Sequence, residues 1–167
     1  MKEILSMETK PKIYVLTGAP CSGKSTWINK FLSSQKEDYK IISSDNILEE
    51  FASEEGITYA QSWQKYIGRA TAMMKQDFRQ AVLDNSNIIC DQTNMTPKKR
   101  KSLIGNLGNY EKIAVIFDCD TKTLFERNKK RMETTGKFVP EEIILNMLKQ
   151  YQTPTKAEGF DKIIRVQ

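Results

Sequence analysis

The segment Gly18-Ala19-Pro20-Cys21-Ser22-Gly23-Lys24-Ser25 constrains this chain more than any other. It fits G-x-x-x-x-G-K-S and runs on into Thr26. An apolar run, Lys12 to Thr17, precedes it, and an amphipathic stretch, Lys24 to Leu32, follows. Strand, glycine-bearing turn and helix in that order predict a phosphate-cradling P-loop. Gly18 and Gly23 permit a tight turn, so that successive backbone N–H groups and the helix N-terminus point at phosphate oxygens. Lys24 supplies a point charge to the β- and γ-phosphates, and Ser25 a hydroxyl to Mg²⁺. Residues Gly18 to Thr26 are therefore expected to hold a nucleoside triphosphate, read as ATP.

Beyond this motif, strands and helices alternate. Apolar runs at Tyr39–Ser43, Asn87–Asp91, Lys112–Phe117 and Lys162–Val166 read as four further strands. They lack polar alternation, as strands covered on both faces do, which predicts a parallel sheet with helices on each side. Helical patterns occupy the stretch from Asp45 to Gly56, then Thr58–Asn85, Thr121–Met132 and Glu141–Tyr151, and Pro97 opens another helix. The stripe Tyr59, Trp63, Tyr66, Ile67, Ala70, Met74, Phe78 is read as core packing. With 167 residues and no linker or repeat, one domain over 1–167 is expected.

Composition narrows the chemistry. No apolar run is long enough to span a membrane, and Met1 to Lys10 has no apolar h-region, so a cytoplasmic protein is expected. The three cysteines form no C-x-x-C pair, which suggests neither a disulfide framework nor a zinc site. The chain has no His, so any general base is a carboxylate, Lys, Tyr or Cys. The net charge of +5 suits an anionic ligand but does not by itself demand one.

In open parallel sheets ligands bind beyond the carboxyl ends of the strands. The second strand ends in Ser43-Ser44-Asp45 and the third in Asp91-Gln92-Thr93-Asn94, which puts two carboxylates on the P-loop rim. Asp45 is the candidate base for an acceptor hydroxyl, or else a helix N-cap. Asp91 would hold Mg²⁺ through water, brace a basic side chain or cap its loop. Arg127 and Arg131, spaced i, i+4, share a helix face and could close over a triphosphate as a lid, with Gly136 giving the next segment freedom. Asp118-Cys119-Asp120 has a phosphatase-like D-x-D spacing, but Lys122 stands where Thr or Val is needed, so these residues are read as the start of the lid helix.

GAPCSGKST, SSDN, DQTNMTPKKR, FERNKKR…VPEE and YQTPTKAEGFDKI, taken in order, resemble the 5′-hydroxyl polynucleotide kinases, phage-type and mammalian. DQTN with its basic run also resembles the kinase-like domain of heterogeneous nuclear ribonucleoprotein U. The resemblance runs from about Lys12 to the C-terminus. It implies a P-loop NTPase-like three-layer αβα sandwich, with a five-stranded parallel sheet, the P-loop strand at its centre and a helical lid. It implies transfer of the ATP γ-phosphoryl group to a 5′-hydroxyl end of DNA or RNA. Lys24 and Ser25 would bind phosphate and Mg²⁺. Asp45 would be the general base, Asp91 a catalytic-site carboxylate, and Arg131 the lid arginine, with Arg127 beside it. One departure stands out. The phage-type enzyme has an Arg three residues after the base, on the acceptor phosphate; here the residue is Leu48. Lys98, Lys99, Arg100 and Lys101 are alternative phosphate ligands, since basic residues oppose the dipole at a helix start.

Two other readings use the same residues. One is a P-loop kinase of a small molecule such as a nucleoside, sugar or antibiotic. The other is a nucleotide-dependent RNA-binding module without transfer activity, against which the full set of Lys24, Ser25, Asp45 and Arg131 argues. The sequence leaves the oligomeric state and the choice between DNA and RNA open.

Overall fold

The computed structural model describes residues 9–166. Most of Met1 to Lys10, read as lacking a signal peptide, lies outside them. The elements are β1 (Lys12–Thr17), α1 (Lys24–Ser34), β2 (Tyr39–Ile42), α2 (Ser44–Glu55), α3 (Tyr59–Leu83), β3 (Asn87–Cys90), α4 (Pro97–Ile104), β4 (Glu111–Phe117), α5 (Thr121–Thr135), α6 (Glu141–Gln150) and β5 (Lys162–Val166). The five strands form a parallel sheet in the order β2-β3-β1-β4-β5, which makes the fold the expected αβα sandwich.

Alternation along β1 assigns its two faces. Ile13 and Val15 pack with Ile88, Cys90 and Ala114 under Met74 and Ala81 of α3 and Ile104 of α4. Tyr14 and Leu16 face the other way, with Ile89, Val115 and Phe117, against Ile28, Trp27 and Phe31 of α1. A third cluster lies at the carboxyl rim, where Ala19 and Met95 meet Leu124 of α5 and Ile144 of α6. The two edge strands are not apolar runs covered on both faces: in β2 Lys40 is exposed, and in β5 Ile164 is 38% exposed.

Two sequence expectations need correction. The N-cap of α2 is Ser43, whose hydroxyl accepts from the Asn46 N–H, so Asp45 lies inside the first turn and its carboxylate is free of capping. The aromatic stripe of α3 is core only in its second half. Ala70 and Met74 are buried, whereas Trp63 is 48% exposed.

The loop between β3 and α4 fixes the start of the P-loop. The Thr93 carbonyl accepts from the Gly18 N–H at 3.0 Å. The Asn94 side chain donates to the Leu16 carbonyl at 2.8 Å, from a left-handed backbone (φ 45°) that Asn tolerates. The Asn94 carbonyl in turn accepts from Arg100 Nη1 at 2.9 Å. Arg100 is fully buried and forks onto Glu158, with Nε–Oε1 2.7 Å and Nη2–Oε2 3.2 Å. Arg100 is thus a strut, not the phosphate ligand considered above.

Burial works against the charge on Glu158, but Arg100 and the Thr155 N–H outweigh it and hold the carboxyl below its usual range. A depressed carboxylate stabilises the fold above its unfolded pKa, and the contribution is lost as pH falls through the folded value. Arg100→Met should therefore cost about 3–5 kcal/mol at neutral pH, the penalty for stranding a buried partner. In denaturant titrations the gap from wild type should narrow in acid. A gap that stays constant into acid would rule out the charge pair as its source.

Candidate active site

The P-loop turns where its backbone allows. Gly23 caps α1 with φ 104° and Cys21 also takes a left-handed φ of 66°. Gly18 has no room for a side chain, since a Cβ there would lie 2.6 Å from Ser22 Oγ and 2.9 Å from Phe117 Cβ. Ala19 and Ser22 are buried and Pro20 half-buried, while Ser25 and Thr26 lie exposed on the first turn of α1.

Lys24 folds back over this turn, its Nζ donating to the Gly18 carbonyl at 2.6 Å and the Ala19 carbonyl at 3.1 Å. Burial pushes its ammonium down to about 8, against the pull of the Asp91 and Asp45 carboxylates. Asp91 and Asp45 therefore do lie within electrostatic reach of Lys24, from the ends of two different strands. Burial raises Asp91, with Lys24 opposing and Asp45 reinforcing. Lys24 spends its recorded hydrogen bonds on the loop carbonyls, so Asp91 acts on it through charge alone.

Asp45 carries a different set of partners. Tyr59, the first residue of α3, donates its hydroxyl to Oδ1 at 2.6 Å. Lys137, in the segment between α5 and α6, reaches Oδ2 at 3.2 Å and Glu49 Oε1 at 3.0 Å, and its Nζ stands 4.5 Å from the Tyr59 ring centre. Partial enclosure works against the charge on Asp45, but Lys137 and Tyr59 prevail and hold the carboxyl below its ordinary range. The side chain is still 54% exposed, so an incoming hydroxyl can reach it.

The two arginines of α5 expected to form a lid differ. Arg127 is exposed and donates through Nη1 to the Cys21 carbonyl at 3.1 Å, leaning on the outside of the P-loop. Arg131 turns inward. Its charge is felt by Lys24, Asp45 and Tyr59, and its Nε and Nη2 are enclosed without a protein hydrogen-bond partner. A buried unpaired guanidinium is costly, and an anionic ligand relieves it. That orphan and the cradle around Gly18 are what a triphosphate fits.

No group of three or more His, Cys, Asp or Glu able to hold a metal occurs among the described residues. Mg²⁺ bound mainly by substrate oxygens and water needs no such cage, and the Ser25 hydroxyl suits it. Tyr59, Glu49 and Lys137 had no signal in the sequence as site residues. They meet Asp45 across 14 and 92 positions in the cases of Tyr59 and Lys137. Lys98, Lys99 and Lys101 are exposed on α4.

Comparison with known proteins agrees with this architecture. A family model described as an AAA domain matches residues 13–154. The chain is 27% identical over 157 residues to L-seryl-tRNA(Sec) kinase of Methanococcus maripaludis, covering 89% of this chain and 56% of that protein. It is 23% identical over 158 residues to human heterogeneous nuclear ribonucleoprotein U-like protein 2, covering 91% of this chain and 21% of that one. The chain thus spans about half the length of the first relative and a fifth of the second. Among solved structures, a chain of the Pnkp1/Rnl/Hen1 RNA repair complex superposes with a TM-score of 0.67 at 24% identity, covering 87% of this chain and 45% of that chain. A fungal RNA kinase gives 0.58 at 16%, covering 95% and 75%. A gluconokinase from Sinorhizobium meliloti gives 0.52 at 16%, covering 94% and 82%. At these identities the structural matches speak for the fold.

Phosphates favour the charged form of Lys24, so above about pH 8 binding must take up a proton. Affinity for ATP should be flat below that pH and fall by up to about tenfold per unit above it. Isothermal titration between neutral and alkaline pH reads this directly. Lys24→Gln should bind weakly with no such break, and a break that survives the substitution would assign it to another group.

Proposed function

The chain belongs to the AAA-domain family matched over residues 13–154, and on that premise we propose that it is an ATP-dependent kinase of nucleic-acid 5′-hydroxyl ends. One observation carries the reading. Asp45 stands half-open, and the charges of Lys24 in the P-loop and of Arg131, unpartnered at Nε and Nη2, act on the same region. A donor pocket and a carboxylate base facing it are what phosphoryl transfer to an alcohol requires.

In this reading the P-loop N–H groups and Lys24 orient the triphosphate, and Arg131 closes on its γ-phosphate. Asp45 accepts the proton of the acceptor hydroxyl. The hydroxyl oxygen bonds to the γ-phosphorus as the bond to the β–γ bridging oxygen breaks. Asp91 acts on Lys24 through charge throughout. Mg²⁺, held by Ser25 and phosphate oxygens, would neutralise charge developing on the leaving group.

A nucleic-acid acceptor is supported by the names of the relatives, which include a kinase acting on a charged tRNA and a chain of an RNA repair complex. The net charge of +5 is compatible with it. The likeness to a gluconokinase keeps a small-molecule acceptor as the second reading.

The test is transfer of labelled γ-phosphate from ATP and Mg²⁺ to 5′-hydroxyl DNA, 5′-hydroxyl RNA and a panel of nucleosides and sugars. Label is expected at the oligonucleotide 5′ end, with rates that fall as salt rises. Asp45→Asn should keep ATP binding and lose about 10²–10⁴-fold in transfer. Label on small molecules alone would establish the second reading. ATP binding with no label anywhere would leave a binding module.

A further inference from the structure

Acceptor-side charge is the gap in this site. α2 presents acids toward it, Asp45 and Glu49, one turn apart. Leu48, between them, is completely buried and reaches no ligand. A strand end brings its first internucleotide phosphate close to the 5′-hydroxyl, and that anion would meet two carboxylates at once. A cation must lie between them. Among the described residues Lys137 is the cation in ion-pair contact with Asp45, at 3.2 Å, whereas Lys24 lies in the donor cradle and Arg131 is enclosed without a partner at Nε and Nη2.

Lys137 is built into place. Gly136 ends α5 in a left-handed turn (φ 74°), which frees the chain to change direction. Three residues on, Val139 is clasped by Asn128, which is 1% exposed: its side-chain amide donates to the Val139 carbonyl at 2.6 Å and its oxygen accepts from the Val139 N–H at 3.1 Å. Lys137 and Phe138 therefore arch between a turn and a clasp. The Lys137 side chain is only 14% exposed, lying across Tyr59 and onto both acids of α2.

We propose that Lys137 is the acceptor-phosphate ligand of this kinase, and that its ion pair with Asp45 and Glu49 occupies the acceptor position until a strand end displaces it. The assignment rests on the nucleic-acid reading above. The arriving phosphate takes over the ammonium, and Asp45 loses the partner on Oδ2 that competes with the acceptor hydroxyl. The base is thereby released by the same group that identifies the substrate. A neutral acceptor offers the ammonium nothing and leaves it on Asp45.

A minimal pair of acceptors isolates the phosphate: a nucleoside 3′-monophosphate and the same nucleoside without it, assayed with saturating ATP and Mg²⁺. Wild type should prefer the phosphorylated acceptor by about tenfold to a hundredfold in kcat/KM, the worth of one charge-assisted hydrogen bond. In Lys137→Gln the preference should collapse toward unity, through a higher KM of the phosphorylated acceptor and a gain in kcat/KM on the neutral one, whose base is no longer occupied. Lys137→Arg should restore most of it. The pair Lys98→Gln and Lys99→Gln should retain it. A wild-type preference untouched by Lys137→Gln would overturn the assignment and leave the nucleic-acid reading standing. Equal losses in kcat on both acceptors would make Lys137 a mere support of Asp45. Phosphorylation of neither acceptor nor of any oligonucleotide would defeat the nucleic-acid reading, and the assignment with it.

Discussion

The P-loop depends on a side chain that never approaches it. Arg100 lies in the interior, holds the Asn94 carbonyl and forks onto Glu158. Asn94 holds the Leu16 carbonyl near the end of β1, and its neighbour Thr93 receives the Gly18 N–H. One guanidinium therefore fastens the loop after β3, the turn before β5 and, through them, the mouth of the nucleotide cradle. Such a pair is weak evidence for raw stability, because desolvation offsets much of its attraction. What it supplies is geometry: five fixed donors in a plane admit only one arrangement of the loops around them.

Charge in the site is organised so that most groups lean on another part of the chain. Lys24 rests on carbonyls of its own loop, Arg127 on another, and Lys137 on the two acids of α2. Arg131 is the exception, enclosed but unpaired at Nε and Nη2. The absence of His concentrates proton handling on carboxylates. Of the two on this rim, Asp91 is pushed toward the neutral form by burial while Asp45 is held ionised by its partners. Opposite shifts of two acids on one rim are the pattern by which environment gives two carboxylates different protonation behaviour.

How much of this was legible depended on distance along the chain. The P-loop is local, so its spacing reveals it. The sheet followed from apolar runs, and Asp45 and Asp91 from the rule that ligands gather at strand ends. The acceptor side was hidden because its contacts are long-range and aperiodic. Tyr59 looked like the first member of a core stripe, yet it sits at a helix end where its hydroxyl is free to reach Asp45. Lys137 is one lysine among many, and nothing in TTGKFVP says which way its side chain leans. Arg100 misled for the opposite reason. In a run of four basic residues only it faces inward, because the partner that neutralises it, Glu158, arrives 58 residues later.

The strand order carries a consequence for how such a protein can vary. β1 is paired on both sides, with β3 and then β2 to one flank and β4 and then β5 to the other. The candidate acceptor groups Asp45, Glu49 and Tyr59 belong to the β2 flank, whereas Arg131, the candidate donor-side arginine, comes from α5, after β4. Lineages could therefore exchange one clientele for another by remodelling α2 and α3 while the energy-supplying half is inherited intact. The arch bearing Lys137 is a place where the two inheritances touch, since its ammonium holds both acids of α2 from the end of α5, and there they must be kept in step.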